Sequence, residues 1–591
     1  MKFKWILAAV VFAAAFLFTS YGQQEVVDTE GDASGQFEGL LDVEHTGWEQ
    51  GQRGGRFVFS VFGSDPKTFN TIVGAETSTT NITDRLYARP VRRNQMTLEW
   101  EPWAAESYVI SEDERTITFT LREDMRWSDG EPIVASDFVD AVNEIYMDPA
   151  VETNYRNGLM PSGESTVWEV IDDQTFSVTM PFVYAGILNV TYVPPLPMHI
   201  LRPILEEEGP EAMNTLWGVD ADVTEVVGNG PFKLVSYSPG QRVVLERNEY
   251  YFEEDEWGTQ LPYLDEVVVE FLPDQDTQLQ RFLAGEHDFL HMRGEDVSIA
   301  LDRKEEVGFE IYSVGPRATT NFIAFNQNPN GISEPELTWL SNKTFRQAMA
   351  HLVDRQTMVN NIMFGYGYPQ YSFVPSISPY YWEGAPDAAF QYDPEEAADM
   401  LDSIGYVDQN GDGWRQDEDG NRISLDLRTN AGAREREAMG ELFAQDAAEV
   451  GIEIRFQPED FNTLVGRLTS TYDWNLILIG LTGSVDPISG ANVYPSDGNL
   501  HMIEPEQESP RRDWEARVDE AWDFANNTTD EEQRIEGYQT LQQIWIEEVP
   551  WVFTTNAALI HAYGNEWGNI KPQPVSDYEW DGILHRIYQK Q

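Results

Sequence analysis

The chain of 591 residues contains no cysteine. That excludes disulfides, cysteine-ligated zinc, iron–sulfur clusters, thiol catalysis and an N-terminal lipid on cysteine, so stability rests on packing. Positive charge is scarce: 39 Lys and Arg stand against 101 Asp and Glu, a formal net charge of −62, and only 8 of the 39 are Lys. Contact with a phosphate backbone needs Lys and Arg surfaces, so nucleic-acid binding is excluded as the main task. Long apolar runs are also lacking. The one candidate, Trp5 to Phe18, has 14 residues, short of the roughly 20 that span a bilayer. No glycine-rich phosphate loop followed by Lys, no G-x-S-x-G elbow and no H-E-x-x-H pair occurs, so the familiar signatures of nucleotide hydrolysis, serine esterases and zinc proteases are missing.

What is present is a compact composition. Apolar residues make up 41% and aromatics 12%, enough for several cores, and at about 150 residues per domain the length predicts more than one domain. A folded chain this acidic repels itself in dilute buffer. At 1 M salt the screening length falls to about 3 Å, so acidity spread along the whole chain reads as adaptation to a salty medium. The alternative is a surface for a cationic partner. The start, Met1-Lys2-Phe3-Lys4, is basic; the apolar run follows; Ser20 and Gly22 are small. This is the pattern of an export signal cut after Gly22, with an uncleaved anchor as the alternative. Residues 23–53, rich in Gln, Glu, Asp and Gly, read as a flexible leader.

Folded sequence is expected from Gly54, where Arg56 to Val61 alternates as a strand does. Strands are also predicted at 115–122, 241–247, 266–271, 452–456 and 475–479. Helices are predicted after Ser136-Asp137, over 342–353, from Pro394 to near Gly405, and from Ala433 to Val450 before Gly451. The alternation predicts α/β layering. His287 and His291, four apart, suggest a shared helix face for a metal, but no third ligand is evident and two ordinary histidines are the simpler reading. Asp408, Asn410 and Asp412 set oxygen donors at positions 1, 3 and 5 of a calcium-type loop with Gly413 at 6. Position 12 is Asp419 where that loop uses Glu, and a glycine-rich hairpin is the competing reading. Apart from that calcium candidate, no cofactor is expected.

A series of ordered segments carries a resemblance. Pro102-Trp-Ala-Ala-Glu-Ser107 precedes the strand 113–122, then Asp124-Met-Arg-Trp-Ser-Asp-Gly130 and Ile133-Val-Ala-Ser-Asp-Phe-Val139. Gly228-Asn-Gly-Pro-Phe-Lys-Leu234 leads to Leu245-Glu-Arg-Asn-Glu-Tyr-Tyr251, and Leu261-Pro-Tyr-Leu-Asp265 to Leu283-Ala-Gly-Glu-His-Asp288. Phe325-Asn326, Phe345-Arg-Gln-Ala348 and Val485-Asp-Pro487 complete the series. From about Gly54 to the C-terminus the chain resembles the extracellular solute-binding proteins of family 5, the oligopeptide- and dipeptide-type subunits of ABC importers. The resemblance implies a two-lobed α/β fold of the periplasmic-binding-protein type II (cluster C, with an extra subdomain). Lobe I would combine 54–75, 186–317 and 550–591; the extra subdomain would be 76–185 and lobe II 318–549. It also implies a periplasmic, monomeric protein, not an enzyme, that closes on a solute and docks on membrane permease subunits.

Peptide-binding relatives anchor the peptide amine with Asp in a turn like W-T-G-D. Here the matching stretch is Gly480-Leu-Thr-Gly-Ser-Val-Asp-Pro487, so Leu481 replaces Trp and Ser484 replaces Asp. A serine cannot supply a charge-assisted bond to ammonium. Asp486 either takes that role or is the family's structural Asp-Pro. Position in the resemblance marks Glu76, Thr77, Asn430, Arg434, Leu481, Thr482, Gly483, Ser484 and Asp486 as cleft residues. Oligopeptide is the expected ligand and oligosaccharide the alternative. A secreted carboxylate-pair hydrolase is a third, disfavoured possibility.

Overall fold

The computed structural model describes residues 37, 39–43, 47–62, 65–74, 77–94, 99–481, 483–505, 507–572 and 583–591. The export signal and most of the stretch expected as a leader lie outside them. Part of that leader is placed. Leu41–Asp42 pairs in parallel with Tyr312 and Ser313, and Trp48 lies under the cations of Lys571 and Arg586.

The first body of the fold is one large apolar core that draws on residues from Phe57 to Phe289 and again from Tyr563 to Ile587. Its central sheet sets Arg56–Phe62 parallel to Glu266–Leu272, with Arg242–Arg247 and Phe232–Ser238 antiparallel beyond. A second sheet, all antiparallel, runs Ala105–Ile110, Thr116–Leu121, Thr175–Thr179, Val167–Asp172. The family-like motifs turn out to be joints of this body. Asn229 closes a two-way bond with the backbone of Ala88, at 2.8 Å in each direction. A Cβ at Gly228 would sit 2.0 Å from the Leu86 carbonyl oxygen, so only glycine admits that approach. Trp127 Nε1 donates to Asp137 (3.3 Å), which also accepts the Val134 amide (3.0 Å) ahead of the helix Ala135–Asp140. Burial pushes the Asp137 carboxyl up to about 6.

The second body is built on the sheet Glu453–Glu459, Ser424–Asn430, Leu476–Leu481, Thr320–Phe325, Trp551–Phe553. Successive side chains of a strand point to opposite faces, and the two faces are separate cores. Ile323, Phe325, Leu476, Leu478 and Val552 enter one; Phe322, Ala324, Ile477, Ile479, Trp551 and Phe553 enter the other. This is why 475–479 reads as an unbroken apolar run: both sides are covered. Arg346 of the Phe-Arg-Gln-Ala motif is buried and donates to the carbonyls of Leu340, Ser341, Glu548 and Val549. Burial lowers its guanidinium to about 10, still fully charged at neutral pH, and its bonds supply carbonyl partners at helix ends. The expected strands and helices are all found within a few residues, including the helix Arg434–Glu449.

A third sheet joins the bodies. Phe309–Pro316 and Thr555–Gly564 pair antiparallel, flanked by Leu41–Asp42 and Phe289–His291, with Gly367–Pro369 also on Thr555–Gly564. Phe309–Pro316 passes into Thr320–Phe325 through Arg317, Ala318 and Thr319. Trp551–Phe553 passes into Thr555–Gly564 through Thr554 alone. Trp551–Phe553 belongs to the second body's sheet, so the chain returns to the first body just after the boundary expected at 550. His291 lies on a strand of this sheet rather than on a helix, with its Nδ1 2.8 Å from His561 Nε2. His287 meets Ser60 and Glu270 instead.

Candidate functional site

The ends of the second sheet's strands carry several of the residues singled out in the sequence. Leu476–Leu481 stays paired to its last residue, opposite Thr320. Gly483 presses on the crossing strand: a Cβ there would meet the Ala318 carbonyl oxygen at 2.0 Å. Leu481, Gly483 and Ser484 line a cavity of about 180 Å³ together with Thr320, Phe373 and Tyr494. Its wall is apolar and hydroxyl-bearing. Ser484 Oγ accepts the Asp486 amide at 3.3 Å, so this hydroxyl shapes the turn.

Asp486 is buried and fully engaged. Arg534 Nη2 donates to both of its oxygens at 2.9 and 3.1 Å, and Ile488 N donates at 3.2 Å at the head of the turn Pro487–Gly490. Arg93, from the first body, reaches the same carboxylate at 3.4 Å. Of the two roles open to Asp486, the structural one matches this geometry: its lone pairs are used by two guanidinium groups and an amide.

Asn430 ends the strand Ser424–Asn430, and its Oδ1 is shielded from solvent with no hydrogen-bond partner among the described residues. Arg434 opens the helix Arg434–Glu449 and reaches across to Asp276 (3.4 Å) and Glu295 (3.8 Å) of the first body, with its side chain 67% exposed. Those two acids are already held by Arg293 at 2.8 Å each. Arg434 is therefore a rim residue that contacts the other body. Thr77 starts the helix Thr77–Thr83; Glu76 and Thr482 lie outside the described residues. In the calcium-type loop, Asp408 accepts the amides of Gly411 (2.7 Å) and Gly413 (2.9 Å), and Asp412 accepts that of Trp414. Among the described residues no group of three His, Asp or Glu is placed to hold a metal.

Sequence reading passed over two residues of the same helix start, Glu435 and Arg436. Both are half-buried at the first turn, on the side of Arg317 and Gly480. In the sequence they sit in a run of four charges, Arg434 to Glu437, that resembles an ordinary solvated helix end. Only the fold shows that the run lies beside Gly480 and Arg317.

The family model for bacterial extracellular solute-binding proteins, family 5, middle region, matches residues 99–499. The chain belongs to this family. Its members are the substrate-binding subunits of ABC importers; they are extracellular or periplasmic, bind small-molecule ligands and work with ABC permeases. A probable ABC transporter-binding protein of Deinococcus radiodurans is 31% identical over 477 residues, covering 76% of this chain and 78% of the relative. The oligopeptide-binding protein AppA of Bacillus subtilis, solved in complex with a nonapeptide, shares the fold. Its TM-score is 0.74 at 20% identity, covering 92% of this chain and all of that one. The periplasmic binding protein MelB of Agrobacterium fabrum, solved in complex with stachyose, gives 0.76 at 21% identity over 91% and 85% of the two chains. The two-lobed fold is thus established, and among the described residues no helix is long and apolar enough to cross a membrane.

Proposed function

We propose that this chain is the exported binding subunit of an ABC importer that closes its two lobes on an oligopeptide and presents it to a membrane permease, without chemistry of its own. The observation that carries the clamp reading is the joint. Two short crossings link bodies with separate cores, and ion pairs from Arg93 and Arg434 span the gap. Such a joint supports hinge closure, with ligand shifting the population toward the closed form. The solved relative that holds a nonapeptide supports oligopeptide as the solute. An oligosaccharide is the second reading. It is favoured by the neutral turn Leu481 to Ser484, by the engagement of Asp486, and by the relative that holds stachyose. The leader to Gly22 directs export, the acidic surface suits a salty exterior, and the protein acts as a monomer. No cofactor enters the proposal.

The test is to purify the protein in molar salt without refolding, denature it, and identify the released molecules by mass spectrometry. Released peptides, left intact on incubation, support the proposal. Released sugars replace the ligand and keep the clamp. Products of turnover in place of bound ligand reject it.

A further inference from the structure

The sheet that joins the bodies carries a titratable cluster of its own. His561 is fully buried and His291 half-buried, and the two are Cα partners on neighbouring antiparallel strands. His291 Nδ1 lies 2.8 Å from His561 Nε2. On the other side of the ring, His291 Nε2 meets Arg317 Nη2. Arg317 is the first residue of one crossing, and its backbone is tied to the strand that follows the other crossing. Its carbonyl accepts from Asn556 Nδ2, and its amide donates to the Ala557 carbonyl at 3.3 Å. The side chains thus add a second tie between the two places where the chain passes from body to body.

The chemistry of the donors fixes the direction of this chain of bonds. A guanidinium donates and never accepts. His291 Nε2 is therefore an acceptor, and the His291 proton sits on Nδ1. That N–H donates to His561 Nε2, which leaves the His561 proton on Nδ1. The chain closes only when both rings are neutral. A proton added to His291 aims an N–H at a guanidinium; one added to His561 aims an N–H at an N–H. Burial, with Arg317 adding to it, holds both rings well below their ordinary value. Other titratable groups border the cluster. Tyr312 is the Cα partner of His561 on the strand Phe309–Pro316, Tyr563 follows on the strand of His561, and Tyr366 and Tyr368 lie beside Gly367–Pro369. Phenols carry no charge between about pH 5 and 8. Glu295 and Asp296, at the head of the helix Gly294–Val307, are paired with Arg293 at 2.8 and 2.7 Å. Asp288, ahead of the strand Phe289–His291, is raised to about 6 by burial, and Glu435, whose charge acts with Arg317, is raised too; Arg436 beside it is a fixed cation.

We propose that His291, His561 and Arg317 form a proton-operated catch on the hinge: the neutral rings hold Arg317 and keep the lobes closed, and protonation of the rings frees Arg317 and lets the lobes part. This rests on the reading of the chain as a two-lobed clamp and does not depend on which solute it takes. Rings freed into water titrate near 6.5, above the held rings, so the freed form binds the proton more tightly and falling pH favours it. Between pH 7.5 and 5.5 the ratio of open to closed lobes should rise about tenfold for each histidine that is freed.

The chain has no cysteine, so two can be introduced as unique spin-label sites: Glu169→Cys on the first body and Glu441→Cys on the second, both exposed. Pulsed dipolar spectroscopy then reads the distance between the lobes at pH 7.5 and 5.5 in molar salt. The expected result is a longer-distance population that grows at least tenfold, relative to the shorter one, at pH 5.5. His291→Gln with His561→Gln keeps amides that can donate and accept but do not titrate, and should remove that growth. Asp288 and Glu435 remain in the variant, so the difference from the parent isolates the rings. Melting temperature checks that the variant folds. A second measurement needs no substitution in the cluster: nitrogen-15 NMR of the histidine-labelled parent should show an N–N coupling across the His291–His561 bond at pH 7.5 that disappears at 5.5. Equal growth in parent and variant, or no such coupling at pH 7.5, overturns the catch and leaves the clamp. A single distance in the parent at both pH values overturns the catch. The same single distance in parent stripped of ligand by unfolding and refolding overturns the clamp reading as well.

Discussion

Asp486 is buried and Glu435 half-buried, and the structure treats these two carboxylates oppositely. Asp486 has two guanidinium groups and an amide around it. Glu435 has charges nearby and no direct partner among the described residues. The first arrangement is finished and holds the turn. The acid that sequence pattern favours is therefore the structural one.

The sharpest way to break this contrast is Arg534→Met. It leaves Asp486 buried with only Arg93, at 3.4 Å, as a cationic neighbour. Removing one partner of a buried pair typically costs about 3–5 kcal/mol. Urea unfolding in molar salt should show a loss of that size, and salt should not mask it because the pair is shielded. A loss below about 1 kcal/mol would mean that Asp486 is not the fixed point described here.

Glu435→Gln should behave in the reverse sense. Removing a half-buried charge with no direct partner is neutral or stabilising, by up to about 1 kcal/mol at neutral pH. The sign with pH follows from linkage. Burial raises the Glu435 carboxyl above its ordinary value near 4.5, so the native state takes up this proton before the unfolded state does. The group's penalty is full above the folded pKa and is relieved as pH falls through that value toward 4.5. Glu435→Gln should remove that segment of the stability–pH curve. Asp137, raised to about 6, contributes a slope of the same sign between about 4 and 6 and stays in the variant, so the difference between the two curves isolates Glu435.

How far the sequence reaches can be judged on the same residues. The strand and helix pattern was legible because apolar periodicity is local, and the Gly-Asn-Gly and Phe-Arg-Gln-Ala motifs were legible as fold markers. Their work became clear only with partners hundreds of residues away in some cases, as between Arg346 and the carbonyls of Glu548 and Val549. The turn 480–487 was located, but which of its polar residues is occupied depends on Arg534 and Arg93, and no spacing encodes that. Glu435 was passed over for a related reason: in a chain with 101 acidic residues a glutamate at a helix start carries no signal until the fold supplies its surroundings.

The smallest effect belongs to the rim. Arg434 spans the bodies to Asp276 and Glu295 at 3.4 and 3.8 Å, but its side chain is 67% exposed. Exposed pairs contribute about 0–1 kcal/mol and are screened by salt. Arg434→Gln should leave unfolding in molar salt unchanged within about 0.5 kcal/mol. At low ionic strength, where screening is weak, the same substitution should shift the small-angle scattering profile of the ligand-stripped protein toward a wider separation of the lobes. The difference should vanish as salt is restored. A salt-independent opening would make Arg434 part of the closing contact in the same sense as Asp486, and the distinction drawn between a fixed buried pair and a screened rim pair would fail at that position.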